Sequence, residues 1–105
     1  MHAAYWKYAV RRRLTGEKRG SFPLKGSNWF PRPSADVKLW KADVRLLDDS
    51  HRALREAIAG LADRDLGGPV PGSPFDNRGL IAGIIAHDLY HAGQIQLLKR
   101  LRALR

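Results

Sequence analysis

Two histidines, His87 and His91, stand four residues apart within an otherwise aliphatic helical pattern in the last third of the chain. One turn of an α-helix brings such a pair onto one face, with Cβ atoms about 5–6 Å apart, close enough to bind one metal ion. Apolar residues recur around the pair at spacings of three or four: Leu80, Ile84, Ile95, Leu98 and Leu101. Two polar rings in such a seam need partners, because an unsatisfied buried polar group costs roughly 1–3 kcal/mol. A divalent metal is one such partner, and hydrogen bonds to side chains of neighbouring helices are the alternative.

Three helical segments and two irregular connections account for the chain, which predicts an all-α up-down helical bundle forming one domain over residues 1–105. The first helix is predicted from about Ala3 to Leu14 and is ended by Thr15-Gly16. Residues 17–34 then form an unusually long connection that contains several aromatic side chains, so we expect an ordered lid or strap.

The second and third helices are predicted to form an antiparallel pair at the core of the bundle. The second carries an unbroken apolar pattern from Val37 to Leu61, with Ser34 or Asp36 as its N-cap. The third runs from Asn77 to Ala103, with Asp76 as a candidate cap. Each is expected to span about 27 residues, or roughly 40 Å. Because the first helix is less than half that length, three helices would leave apolar surface uncovered, and we expect a homodimer.

Composition narrows the class of protein. The chain has no cysteine, so any metal must be held by nitrogen and oxygen. No apolar run is long enough to cross a bilayer and no signal peptide is evident, so we expect a cytoplasmic protein without a membrane partner. The net charge of +9 is concentrated in Arg11 to Arg13, in Lys18-Arg19 and in a tail that ends at Arg105. A solvated basic face is the usual explanation, and without a recognisable motif nucleic acid ranks last among the partners.

A third metal ligand could be either of the two remaining histidines. His51 lies on the apolar stripe of the second helix and is expected to point inward, more as a hydrogen-bonded core histidine than as a ligand. His2 lies on the inward side of the first helix. Three histidines plus an open position are the usual arrangement of a catalytic metal. On spacing alone, both candidates stay open.

Other residues around the histidine pair are expected to serve packing. Gly79 and Gly83 form a small-residue face that predicts close approach of a neighbouring helix, and Gly93 leaves room for a ligand or a bulky side chain. Asp88 is offset by about 100° from His87 around the helix, so its carboxylate is expected at the surface rather than on the metal.

The segment Gly83-Ile-Ile-Ala-His87-Asp-Leu-Tyr-His91-Ala-Gly-Gln-Ile-Gln-Leu-Leu closely resembles the last helix of DinB-like (YfiT-like) proteins. The opening His2-Ala-Ala-Tyr-Trp-Lys-Tyr is similar to the start of the helix that carries the first metal-binding histidine in that family, and the Pro71-Gly-Ser-Pro-Phe75 connection is also similar. The resemblance implies a four-helix bundle with three histidines on two helices that bind nickel, zinc, iron or manganese. Carried onto this sequence, the metal ligands are His2, His87 and His91.

The resemblance also implies candidate activities. Some members of the family are thiol S-transferases or isomerases that use a low-molecular-weight thiol such as bacillithiol or mycothiol. We therefore expect a metal-dependent thiol S-transferase or hydrolase acting on a small molecule, with no catalytic side chain assigned. Only Met1 precedes His2, so the chain looks like an N-terminally shortened member. This departure favours a second hypothesis, a catalytically inactive metal-binding or dimeric scaffold; a basic nucleic-acid-associated protein is the third.

Overall fold

Helices make up most of the chain in the computed structural model, which describes residues 1–32 and 34–104; Arg105 of the predicted basic tail lies outside them. The elements, in chain order, are α1 (His2–Thr15), α2 (Val37–Ala59), a short 3-10 turn (Asp63–Asp65) and α3 (Asn77–Ala103). Within the described ranges there is no β-strand, only an isolated bridge between Pro69 and Asp76. The predicted all-α class is confirmed. No helix in these ranges is long and apolar enough to cross a membrane.

The sequence signals place most helix ends correctly. The Asp36 carboxylate accepts a hydrogen bond from the Lys38 amide at 2.7 Å, and the Asp76 carboxylate accepts one from the Gly79 amide at 2.8 Å. Each carboxylate thereby satisfies an amide that the first turn of its helix leaves free. Asp36, rather than Ser34, is therefore the cap of α2.

The predicted length of α2 is wrong, because the helix has 23 residues and ends at Ala59. The Gly60 amide still bonds to the Glu56 carbonyl, but the Leu61 amide turns back to the Ile58 carbonyl at 3.0 Å. This tightened last turn keeps Leu61 one turn after Ile58, so the apolar pattern continues past the end of the helix.

The shortest helix, α1, lies at the centre of the fold and packs against both α2 and α3. The expected core, a pair formed by the two long helices, is thus corrected: α1 provides most of the buried residues. The buried apolar cluster joins all three helices and the second connection; its members are Val10, Leu54, Val70, Leu80 and Ile84. With only 14 residues, or about 21 Å, α1 cannot cover the full length of either partner.

Much of the apolar surface of α2 and α3 is exposed as a result, as expected for three helices of such unequal length. On α2 the exposed residues include Val37 and Trp40, and on α3 they include Ile95, Leu98 and Leu101. The accessible surface is 8111 Å², whereas a folded monomer of 11.8 kDa is expected to expose roughly 5,900 Å². The radius of gyration is 15.6 Å, whereas a compact domain of this length is expected to have a radius of about 13 Å.

The long connection after α1 is ordered, as predicted, and its residues 17–32 are called the strap below. Phe22 and Phe30 pack on Tyr5 of α1, with ring centroids 5.5 and 5.7 Å away. The far end of the strap reaches α2, where the Arg32 guanidinium donates to the Asp43 carboxylate at 3.0 Å. These contacts hold the strap along α1 toward the start of that helix.

Gly79 and Gly83 do not mark close approach of another helix, contrary to the prediction, whereas Gly93 has the open surroundings expected of it. A Cβ added at Gly79 would meet Phe75 at 3.1 Å, in the connection that leads into α3. A Cβ at Gly83 or at Gly93 would have no heavy atom within 4 Å. Both glycines therefore border open space.

A buried lysine links the three helices. Lys7 of α1 is 4% exposed, and its ammonium group donates to the Asp88 carboxylate of α3 and, at 3.1 Å, to Nδ1 of His51 on α2. Asp88 is therefore half-buried and paired, not a free surface carboxylate as expected. His51 is largely exposed rather than inward, and its ring is oriented by Lys7.

Replacing Lys7 by methionine keeps the volume of the side chain but leaves the Asp88 carboxylate without its partner. We expect the free energy of unfolding to fall by about 1–2 kcal/mol, the lower part of the range for such losses because Asp88 is partly exposed to water. Urea denaturation would measure the change. Lys41→Met, at an exposed position of α2, is the matched control, and an equal loss in both variants would contradict the role of Lys7.

Candidate metal centre

Three histidine side chains from two helices converge on one point. Nε2 of His87 lies 3.0 Å from Nε2 of His2 and 3.1 Å from Nε2 of His91. One ligand atom from each ring lies within 4.8 Å of the others, the arrangement of a group that could hold one metal ion. The one-turn spacing on α3 brings His87 and His91 together, and the antiparallel course of α1 brings His2 beside them.

The strap fixes the ring of His2. Its Nδ1 donates to the backbone carbonyl of Asn28 at 2.8 Å, and the ring stacks on Trp29 with centroids 3.9 Å apart and planes 9° apart. The Asn28 side chain in turn accepts a hydrogen bond from the Trp6 indole at 2.8 Å. Asn28 adopts a left-handed backbone, φ 66°, which asparagine tolerates better than most residues. The strap thus holds His2 in a single orientation.

His91 is oriented from within its own helix. Its Nδ1 lies 2.7 Å from the carboxamide oxygen of Gln94, which can only accept, so Nδ1 carries the proton. His2 has its proton on Nδ1 for the same reason. When these rings are uncharged, the Nε2 lone pair of each is free and directed toward His87. Orientation of a ligand imidazole through its other nitrogen is characteristic of protein metal sites.

His87 lies between the other two rings and is the most enclosed of the three. Burial lowers the pKa of His87 below its ordinary value, and the neighbouring His91 and His2 lower it further. Its Nδ1 is buried, and no group among the described residues gives it a hydrogen-bond partner. The ring is therefore neutral near neutral pH, the form in which imidazole binds metals.

The donor set fits a divalent metal. Three Nε2 atoms meet, and two of them present lone pairs because their protons lie on Nδ1. The buried Nδ1 of His87 has no partner among the described residues, whichever of its two nitrogens carries the proton. A cation within about 2.0–2.1 Å of all three Nε2 atoms would use every lone pair directed at this point.

The structure thus brings together the residues His2, His87 and His91. His51 contacts Lys7 instead and is not a member of the group. Sequence reasoning did not identify Asn28 and Trp29 as parts of the site. A signal was present, because asparagine readily adopts a positive φ and here stands between Gly-Ser and an aromatic residue, which indicates a defined conformation.

Two cavities adjoin the histidines from different sides. One, of about 480 Å³, lies between α1 and α3 and reaches His87; it is called the α1–α3 groove below. The other, of about 460 Å³, is lined by His2, His91 and Trp29 among others. Small-molecule sites commonly have volumes of 300–1,000 Å³, so either cavity could admit a ligand to the centre.

A helical fold with three convergent imidazoles defines the class, a helical protein with a histidine group that could hold a metal ion. Comparison with known families identifies it further: the profile of the DinB superfamily matches residues 1–95, nearly the whole chain. The chain therefore belongs to the DinB superfamily. Comparisons with curated proteins and with solved structures gave no match.

Replacing Trp29 by leucine removes the ring that stacks on His2 while leaving an apolar side chain. We expect metal affinity to fall about tenfold or more, as it does when groups that orient ligand histidines are lost. Competition with a chromophoric chelator would measure it. Trp40→Leu is the matched control, since Trp40 is as exposed as Trp29, at 68% against 67%, and lies outside the site. Equal affinities in the two variants would show that stacking does not hold His2.

Proposed function

We propose that this chain binds one divalent metal ion, nickel, zinc, iron or manganese, through His2, His87 and His91. We further propose that it transfers a low-molecular-weight thiol, of the bacillithiol or mycothiol type, to an electrophilic small molecule. The observation that carries the proposal is the convergence of three Nε2 atoms, two of them with protonation fixed on the opposite nitrogen. Membership of the DinB superfamily supports it. A metal-dependent hydrolase is the second activity that the same site would support.

A divalent ion held there supplies Lewis acidity that lowers the pKa of a thiol or of a water molecule. The chain itself positions the histidines: the strap orients His2, Gln94 orients His91, and the Trp6 and Trp29 rings pack against His2. In thiol transfer the thiol loses its proton to solvent, the sulfur forms a bond to an electrophilic carbon, and the leaving group departs with the bonding electrons. In hydrolysis, water takes the place of the thiol.

Elemental mass spectrometry of the purified protein tests the metal site directly. We expect about one metal ion per chain, and loss of that metal in the His87→Ala, His91→Ala double variant. His51→Ala is the matched control, because this fourth histidine lies away from the cluster and its loss is expected to leave the metal content unchanged. Conjugation of thiols to monochlorobimane, with and without the double substitution, then tests transfer.

The outcomes separate the hypotheses. Stoichiometric metal with metal-dependent conjugation supports the transferase. Stoichiometric metal without conjugation or hydrolysis supports a metal-binding scaffold instead. A chain that takes up no metal even after reconstitution contradicts the metal site and leaves a dimeric scaffold. We also propose that the protein is located in the cytoplasm.

We also propose that two copies associate through the exposed apolar faces of α2 and α3. The surface in excess of that expected for a monomer is about 2,200 Å² per chain, which lies within the roughly 1,000–2,500 Å² that each partner buries in an obligate homodimer. A second copy could therefore cover the exposed faces.

Multi-angle light scattering after size exclusion tests the association. We expect a dimer for the native chain and a shift to monomer in Leu98→Glu, which places a charge on the exposed apolar face of α3. Arg100→Glu, on the opposite face of the same helix, is expected to remain dimeric. A native chain that is monomeric at micromolar concentration would refute the proposal.

A further inference from the structure

The α1–α3 groove has the form of a binding site for an elongated small molecule. Its walls come from α1, from α3 and from the connection that precedes α3. Most of the lining is apolar, including Val10, Phe75, Leu80 and Ile84. Apolar clefts with a few placed polar groups are the usual sites for small ligands, because the walls supply affinity and the polar groups fix the orientation.

The two ionisable side chains of the groove, His87 and Arg13, lie at opposite ends. His87 and Trp6 stand together at one end, with ring centroids 6.2 Å apart. Arg13 follows Trp6 by seven residues on α1, and Leu80 precedes His87 by seven on α3, so the groove is about 10 Å long between its ends. One end therefore meets the histidine cluster and the other meets a guanidinium group.

Arg13 is available to a ligand. Among the described residues it has no ion pair and no side-chain hydrogen bond, whereas its neighbour Arg11 is engaged by the Glu17 carboxylate at 2.9 Å. Arg13 is also partly buried at the groove rather than extended into bulk solvent. A guanidinium in this position favours a planar anion, because its parallel N–H groups match the two oxygens of a carboxylate.

Gly83 keeps the groove open between these ends. It lines the groove, and a Cβ at this position would have no heavy atom within 4 Å. A glycine inside a helix costs about 1 kcal/mol relative to alanine, and no close approach of another element requires one here. The absence of a side chain therefore leaves space for a ligand.

We propose that the α1–α3 groove binds the acceptor substrate and that this substrate is an amphipathic carboxylate. Its carboxylate pairs with Arg13, its apolar chain lies against Val10, Leu80 and Ile84, and its reactive end reaches His87. The assignment as substrate rests on the proposed function, whereas the groove and its Arg13 belong to the chain with or without a metal.

Isothermal titration with octanoate, on native protein and on protein treated with a chelator, tests the proposal. We expect octanoate to bind in both states and octanol to bind more weakly. Arg13→Gln should weaken octanoate binding about tenfold or more, the usual effect of losing a charged hydrogen-bond partner. Arg12→Gln is the matched control, because Arg12 lines a different cavity and its substitution removes the same charge.

A second pair of variants tests the groove by shape. Gly83→Leu should fill it and abolish octanoate binding, while the folded helix is retained or stabilised. Gly93→Leu, at the other unhindered glycine of α3 and outside the groove, should bind octanoate like the native chain. Circular dichroism verifies that both variants are folded.

Each result is decisive. Failure of the native chain to bind octanoate overturns the proposal. This holds also if the groove is filled by a second copy of the chain in the proposed dimer. Equal binding by Arg13→Gln and Arg12→Gln, or by Gly83→Leu and Gly93→Leu, overturns it as well. Octanoate binding that depends on Arg13 in a chain that retains no metal would support the groove as a carboxylate site and contradict the proposed function alone.

Discussion

The ion pair between Lys7 and Asp88 is the interaction on which the geometry of the histidine cluster depends. His2 and His87 stand on different helices, and α1 packs less extensively against α3 than against α2. Lys7 follows His2 on α1 and Asp88 is next to His87 on α3, so the pair fixes the rotation and the height of one helix against the other where the imidazoles meet. Since the ammonium group also bonds to His51, the same side chain ties α2 to this arrangement.

Local chemistry made the helices and half of the site predictable. Asp36 and Asp76 are recognisable caps, and the spacing of His87 and His91 places them on one face of α3 whatever surrounds that helix. The choice of His2 over His51 required the family resemblance, because both lie on apolar stripes and periodicity does not report which stripes meet. For the same reason the pattern does not identify what covers the exposed faces of α2 and α3: it shows that a face is apolar, not which element packs on it.

Contacts between distant segments account for what the sequence did not reveal. Trp29 and Asn28 reach His2 across about two dozen residues, through a strap whose path depends on aromatic packing against Tyr5. Lys7 was recognisable in principle, since it lies three residues from Ala4 and from Val10 on the buried face of α1. A charged side chain among such neighbours requires a buried counter-ion, and Asp88 was the acidic residue beside the predicted ligands.

The separation of the ligands along the chain gives the cluster a second physical consequence. His2 and His87 are 85 positions apart, so an ion shared between them would close a loop that contains the strap, α2 and the start of α3. A covalent cross-link across a loop of that size raises the free energy of the unfolded chain by about 4–5 kcal/mol, and a coordinate bond acts in the same direction while it persists. The proposed ion would therefore stabilise the folded chain reversibly, and the folded fraction would depend on the supply of metal in the cell.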